Sequence, residues 1–596
     1  MSFSIDHHAL TETRSGIPSV SSQTRRPRIA TTDELRAFAE VVTNDSLEVA
    51  LETLKGRSYR DELIDALFKT RTEPWRFVIN DRIGGQCLVV NDGVGKRSLL
   101  LAECWDEIYT TGESLAELEV LQAVATATGK ENVQPIHGAV EEIPFPPETF
   151  DTILYTHDRG SLGRTLERLH SLLKSDGKLL VHIHGWPRTT GLTKFLGMEP
   201  RRDRFQRSLT SLFTANSARH SRRIRSSGFA IDSRYALLSS RRHENEWLFE
   251  IEDDEALKWV LHGADKAAIR GVYSMVRAVA FLANRVRVLQ QCYPAYLFVC
   301  SPKPNRRVQS RDADGEIFMA GKNRTTALEL ADGEVRHVRK IPNSLHQSEL
   351  NENLADLLNR LNSTDEEITD TLPSGEAVET RFGCEWHEQP VSGTPLSQLL
   401  TREPDAYEEN VEIALDWLAK FQLAFSEEDI QRTPIEIKSS LTLPAFGLEP
   451  PSVPDTPLSS RSGPMHGDFF GSNIYVEDDQ VSHVIDWEWT KPREPPVADA
   501  GFFLLQSAES LSDEFTDGFE TAFVDDTPYR EITQGAIDRY CEMIDITATE
   551  FVTYLPYGYL TRIRQDLEYN YRLDIDWPER VDHIWGFQDR LFEIYA

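Results

Sequence analysis

Between Cys87 and Ile183, short apolar strands alternate with helical stretches, and this alternation restricts the fold more than any other feature of the chain. Cys87-Leu-Val-Val90 reads as a buried strand, followed by a turn carrying Gly93 and Gly95 and a helical run over Ser98–Glu103. Asp151–Tyr155 and Lys178–Ile183 read as further strands. An amphipathic helix over Leu162–Leu173 lies between them, closed by a turn at Ser175-Asp176-Gly177. Strands joined by helices at this spacing predict a parallel, doubly wound sheet. A strand that opens into glycines lets backbone approach a nucleotide at a helix N-terminus, although Gly-x-Gly alone is a weak signal.

A chain of 596 residues is too long for one ordinary domain. Residues 1–30 are polar and read as a disordered tail; 31–74 read as a helical lead-in, with Thr31, Thr32 and Asp33 as capping candidates. The doubly wound domain is expected over 75–305 and a Pro- and charge-rich linker over 306–314. Residues 186–290 read as mainly helical, and Tyr296–Cys300 as a closing strand. A second domain, 315–596, begins with strands at Thr326–Leu330 and Glu334–Ile341 around an Asp332-Gly333 turn. Helices follow near 347–361 and 406–425. No apolar run is long enough to span a bilayer, so no transmembrane segment is expected. The tail has no apolar signal core, and the six cysteines form no Cys-x-x-Cys pair. These features point to a reducing cytoplasm.

The net charge is −32, with 49 Arg and 15 Lys. Such an acidic, Lys-poor surface fits either a high-salt source or an ordinary acidic cytosolic protein, and it disfavours nucleic acid as a partner. One block runs against it: Arg201–Arg242 holds 11 Arg and two acids, a local +9 in a remainder of −41. It reads either as a solvated helical face or as an anion-binding surface for phosphate, an acidic glycan or an anionic leaflet.

The strongest chemistry lies in Pro464-Met-His-Gly-Asp-Phe-Phe-Gly-Ser-Asn-Ile-Tyr-Val476, followed by Val484-Ile-Asp-Trp-Glu488. Phosphoryl transfer needs a carboxylate to orient a hydroxyl and oxygen ligands for Mg²⁺ on the phosphates. Asp468, Asn473 and Asp486 supply that set. The wording resembles the aminoglycoside phosphotransferase and choline kinase family, and Pro495-Pro-Val-Ala-Asp499 strengthens the likeness. The resemblance implies an α+β two-lobed protein-kinase-like fold. Asp468 is then the catalytic base, Asn473 and Asp486 are the Mg²⁺ ligands, and His466 and Asp499 brace the site. It also implies that Lys340 holds the ATP or GTP phosphates, paired with Glu352 or, as second choice, Glu349. Gln389–Leu396 resembles the segment between lobes. Gln422 stands where the family often has His, and no clear Gly-rich nucleotide loop lies between Gly315 and Leu330.

The earlier run has its own resemblance. The Gly93-Val-Gly95 turn, Glu141-Glu-Ile-Pro-Phe145 and Leu172-Leu-Lys-Ser-Asp-Gly177 are similar to class I S-adenosylmethionine-dependent methyltransferases. That likeness implies an α/β Rossmann-like methyltransferase fold, with Asn91, Gly93, Gly95 and Glu113 around the cofactor. Asn91 replaces the usual acid, Arg97 the usual third glycine, and Ala139 the usual adenine-contacting acid.

Together the two resemblances imply a bifunctional transferase. It would phosphorylate a hydroxyl on a small molecule, sugar or lipid-linked glycan, beside a methyltransferase-like domain that is active or degenerate. The alternative is an inactive binding or regulatory protein that docks through the Arg201–Arg242 block.

Overall fold

The computed structural model describes residues 29–54, 56–68, 73, 76–78, 84–157, 162–184, 217–239, 246–263, 293, 295–302, 315–332, 334–364, 367–400, 403–512, 514–570 and 576–596. Residues 1–28 of the tail, the 306–314 linker and, within the Arg201–Arg242 block, residues 201–216 and 240–242 lie outside them. The chain divides into two units, Met1–Val335 and Arg336–Ala596.

The first unit opens on the helix Thr32–Asn44, whose N-cap Thr31 forms a capping box with Glu34. Its strands are β1 (Gln86–Val90), β2 (Glu107–Gly112), β3 (Val133–His137), β4 (Phe150–His157), β5 (Leu173–His184), β6 (Ala230–Ser239), β7 (Glu246–Glu250), β8 (Ala295–Ser301), β9 (Gly315–Ala320) and β10 (Arg324–Ala331). They run side by side in the order β10-β9-β7-β6-β8-β5-β4-β1-β2-β3. β3, β2, β1, β4 and β5 are parallel, and β8 pairs antiparallel with β5. This is the doubly wound arrangement, with its switch point between β1 and β4. The helices Leu115–Ala127 and Leu162–Leu172 connect successive strands and bury their apolar faces.

Three expectations change here. Ser175–Gly177 is part of β5 rather than a free turn, and the β4–β5 register shifts beside it, between Phe150 and Thr152. A side chain at Gly177 would meet the Asp151 carbonyl at 2.9 Å. Ala230–Ser239 and Glu246–Glu250, read as part of a mainly helical stretch, form β6 and β7 instead. β10, expected with β11 to open the second domain, falls in the first unit: it pairs with β9, a strand the sequence reading did not assign, and Met319, Phe318 and Ile317 of β9 pair in turn with Trp247, Leu248 and Phe249 of β7.

The second unit is α+β. β11 (Glu334–Pro342, in this unit from Arg336), β12 (Gly375–Thr380) and β13 (Gly383–Glu388) form an antiparallel sheet in the order β12-β13-β11. The helix Leu345–Asn362 packs on it. Its fully buried Asn351 donates to the Lys340 and Cys384 carbonyls, both at 2.8 Å, and so ties β11 to β13. The remainder is mostly helical around an aromatic core. Trp417 and Phe421 of the helix Pro404–Phe425 stack at 5.2 Å, Trp417 reaches Phe469 at 5.6 Å, and Phe421 reaches Trp487 at 5.3 Å. Each buried ring contributes about 1.5–3 kcal/mol. Phe469 and Trp487 are neighbours in sequence of Asp468 and Asp486, so the core itself anchors both acid-bearing loops. Among the described residues no helix is long and apolar enough to cross a membrane.

Candidate active site

The site in the second unit is assembled on a small hairpin. Ile474–Glu477 pairs with Gln480–Val484, Ile474 opposite Val484, and the Ile485 amide donates to the Asn473 carbonyl at 2.9 Å. Asn473 and Asp486 therefore flank the mouth of one two-stranded ladder. Asp486 has φ +68°, a left-handed conformation that a non-glycine residue holds only where its surroundings impose it.

Asp468 is held in place by its neighbours. Asn473 Nδ2 donates to the Asp468 carbonyl at 2.9 Å and to Oδ2 at 3.3 Å. The Asp468 amide donates to His466 Nδ1 at 3.1 Å, and His466 Nε2 donates to the Ile485 carbonyl at 2.9 Å. Those bonds require a neutral His466, and burial pushes its pKa down to about 4. Asp499, in the first turn of the helix Val497–Glu509, accepts the backbone N–H groups of His466 (2.7 Å) and Gly467 (2.9 Å). Gly467 has φ +79°, and a Cβ there would meet the Trp489 carbonyl at 2.4 Å, so only glycine fits the turn. Burial pushes Asp468 up to about 7, with Arg562 pulling against it and Asp486 and Glu488 adding to it. Gln422, at the expected His position, is buried and donates to the Pro496 carbonyl at 2.9 Å. It thereby steadies the segment that carries Asp499.

Lys340 is 5% exposed; its ammonium lies 3.0 Å from Glu388 and 3.4 Å from Asp486. The expected Lys340–Glu352 pair is not formed: Glu352 is exposed and accepts from Ser348 at 3.1 Å. Glu349 is likewise exposed. Strand order explains the exchange. β13 lies beside β11 with Lys340 opposite Trp386, which puts Glu388 two residues along on the same face. Trp386 Nε1 holds the other Glu388 oxygen at 2.8 Å. The sequence reading also missed Arg562, on the helix Tyr557–Asn570. Its Nη2 lies 3.8 Å from Asp468 Oδ1, and its guanidinium stacks 4.1 Å over the Trp489 ring. A strand-terminal Glu after Trp-His was a faint signal for the first; nothing local signalled the second.

A buried cation, an orientable carboxylate and an oxygen pair suited to Mg²⁺ fit a nucleotide triphosphate and its metal. The first unit fits S-adenosylmethionine only in part. Gly93 (φ +69°) and Gly95 (φ +98°) make the tight turn, with exposed Asn91 (φ +61°) before it and exposed Glu113 just after β2. Yet Asp92 takes the Arg97 and Ser98 amides at the helix start, at 3.3 and 2.7 Å. The Arg97 side chain bridges Glu73 (3.0 Å), Thr156 at the end of β4, and His182 of β5 (3.5 Å). It lies across the carboxyl ends of the strands, where such sheets bind ligands.

Residues 239–532 match the model of the phosphotransferase enzyme family (APH). The first unit is similar to the uncharacterized methyltransferase YcgJ of Bacillus subtilis (strain 168), 27% identical over 112 residues. That stretch is 18% of this chain, and the chain spans only 44% of the length of this curated relative. Among solved structures, YcgJ is 17% identical, covering 39% of this chain and all of that one at a TM-score of 0.24. The [4+2]-cyclase SpnF is 17% identical, with coverages of 41% and 81% and a TM-score of 0.24. A phosphoethanolamine N-methyltransferase 2 of Haemonchus contortus is 13% identical, with coverages of 46% and 61% and a TM-score of 0.27. The chain thus joins a Rossmann-like, methyltransferase-like N-terminal region to a C-terminal region that matches the model of the phosphotransferase enzyme family, a family with a protein-kinase-like fold.

Proposed function

We propose that the second unit transfers the γ-phosphoryl group of ATP to a hydroxyl on a small molecule, sugar or lipid-linked glycan. The observation that carries this reading is the convergence of Lys340, Asp486, Asn473 and Asp468 in one hydrogen-bonded site. Bound Mg-ATP supplies the phosphoryl group and the metal charge that eases its transfer. Lys340, steadied by Glu388, holds phosphate oxygens; Asn473 and Asp486 hold the metal. Asp468 accepts the acceptor's hydroxyl proton and sets the direction of its oxygen. Asp499 and His466 fix the backbone beneath it.

Acceptor, nucleotide and metal are tested together by presenting Mg-ATP with a metabolite panel to wild type and D468N. Transfer that D468N abolishes supports the reading. Nucleotide binding without turnover favours the regulatory alternative. For the first unit we propose that Arg97 competes with S-adenosylmethionine for the crevice, so that any binding requires its side chain to leave Thr156 and His182.

A further inference from the structure

The unspent cation in the site is Arg562. An arginine carries five N–H donors and cannot shed its charge, so one removed from water is ordinarily paired and hydrogen-bonded. The Arg562 side chain is 12% exposed. Its Nε and Nη1 are buried without a hydrogen-bond partner among the described residues, and Nη2 stands 3.8 Å from Asp468, beyond hydrogen-bond reach. The Trp489 face holds the plane from one side at 4.1 Å, and on the same helix Gln565 donates to the Trp489 carbonyl at 3.0 Å, so the perch is fixed. Each buried N–H left unmade is destabilising, and a fold keeps such a group where an absent partner uses it. The position is also apart from everything the family model matches, which ends at residue 532.

We infer that Arg562 binds the phosphoryl group in flight, on the Asp468 side of the site. The inference rests on the phosphotransfer reading. In the transfer, the acceptor oxygen bonds to the γ-phosphorus while the bond from phosphorus to the ADP bridging oxygen breaks. The electron pair leaves with ADP, and the acceptor proton passes to Asp468. Negative charge spreads over the equatorial oxygens at that moment, and a planar guanidinium beside the attacking group stabilises it more than it stabilises bound ATP. Lys340 lies against Asp486 and Glu388, so the two cations serve different ends: Lys340 holds the nucleotide, Arg562 the transferring group.

The test uses the full-length chain with Mg-ATP, water serving as acceptor, and measures hydrolysis and ATP affinity separately for wild type, R562Q and R562K. The expected result for R562Q is a fall in kcat of at least about 100-fold, with the Kd for Mg-ATP within threefold of wild type. R562K keeps a charge but loses the planar fork; it is expected to fall at least about tenfold, again with affinity held. Should R562Q fail to fold in a thermal melt, R562K decides alone. Wild-type kcat in a folded variant, or a loss of ATP affinity equal to the loss of rate, overturns the inference. A wild-type chain that neither binds nor hydrolyses Mg-ATP removes the phosphotransfer reading and this inference with it; binding and turnover that survive R562Q remove the inference alone.

Discussion

Lys340 on β11 lies 3.4 Å from Asp486, so the strand sheet and the acidic hairpin meet at one ion pair. The ammonium is buried and its second anchor is Glu388, at 3.0 Å.

Exchanging Glu388 and exchanging Glu352 therefore have different outcomes. E388Q leaves a buried ammonium with one anchor fewer, and removing one member of a buried charged pair costs about 3–5 kcal/mol. We expect phosphotransfer to fall at least about tenfold, mostly through a higher KM for ATP. E352Q alters an exposed side chain, and activity should stay within about twofold. Steady-state kinetics of the two variants checks both, and equal effects would contradict the pairing seen here.

Much of this architecture was legible in the residues. β1, β4, β5 and β8 are apolar runs bounded by turn residues, and the His466–Asp468, Asn473 and Asp486 spacing is local to one hairpin. β6 and β7 were not legible: each buries only a short adjacent pair, Ala236-Leu237 and Leu248-Phe249, without the alternation that marks a strand, and Arg234 and the surrounding Arg-rich composition mask those pairs. Glu388 was hidden for another reason. Its pairing with Lys340 depends on which strand lies beside β11, a fact of sheet order that no spacing encodes. Arg562 reaches Asp468 from a helix near the end of the chain, so only the tertiary fold reveals it.

His466 gives the stability a pH dependence. Its folded pKa of about 4 lies below the unfolded value of about 6.5. Below pH 6.5 the unfolded chain takes up a proton that the folded chain refuses, so this contribution is present above pH 6.5 and fades towards pH 4. At about 1.4 kcal/mol per unit the loss is roughly 3 kcal/mol. Asp468 and Asp499, both pushed up to about 7, titrate in the opposite sense over much of the same range. The His466 part is accordingly read as the difference between wild type and H466Q in urea midpoints at pH 7 and pH 4. A difference that does not change with pH would refute it.

Gly467→Ala adds a Cβ 2.4 Å from the Trp489 carbonyl at φ +79°. Backbone strain and overpacking together cost roughly 2–5 kcal/mol. The turn also sets the position of Asp468, so phosphotransfer should fall even below the melting temperature. Denaturant unfolding and an assay at low temperature measure the two effects separately.

In the first unit, R97G removes the side chain that spans Glu73, Thr156 and His182. Calorimetric titration should show S-adenosylmethionine binding at least about tenfold more tightly to folded R97G than to wild type, a gain of about 1.4 kcal/mol. Equal affinity in both would mean that Arg97 does not obstruct the crevice.

The most direct measurement is transfer of labelled phosphate from Mg-ATP to a panel of hydroxyl-bearing metabolites, sugars and lipid-linked glycans, by wild type and by D468N. The account predicts a labelled acceptor with wild type, and a loss of at least about 1,000-fold in D468N with ATP affinity retained. Transfer undiminished in D468N, or ATP bound by wild type with no acceptor labelled, would contradict it.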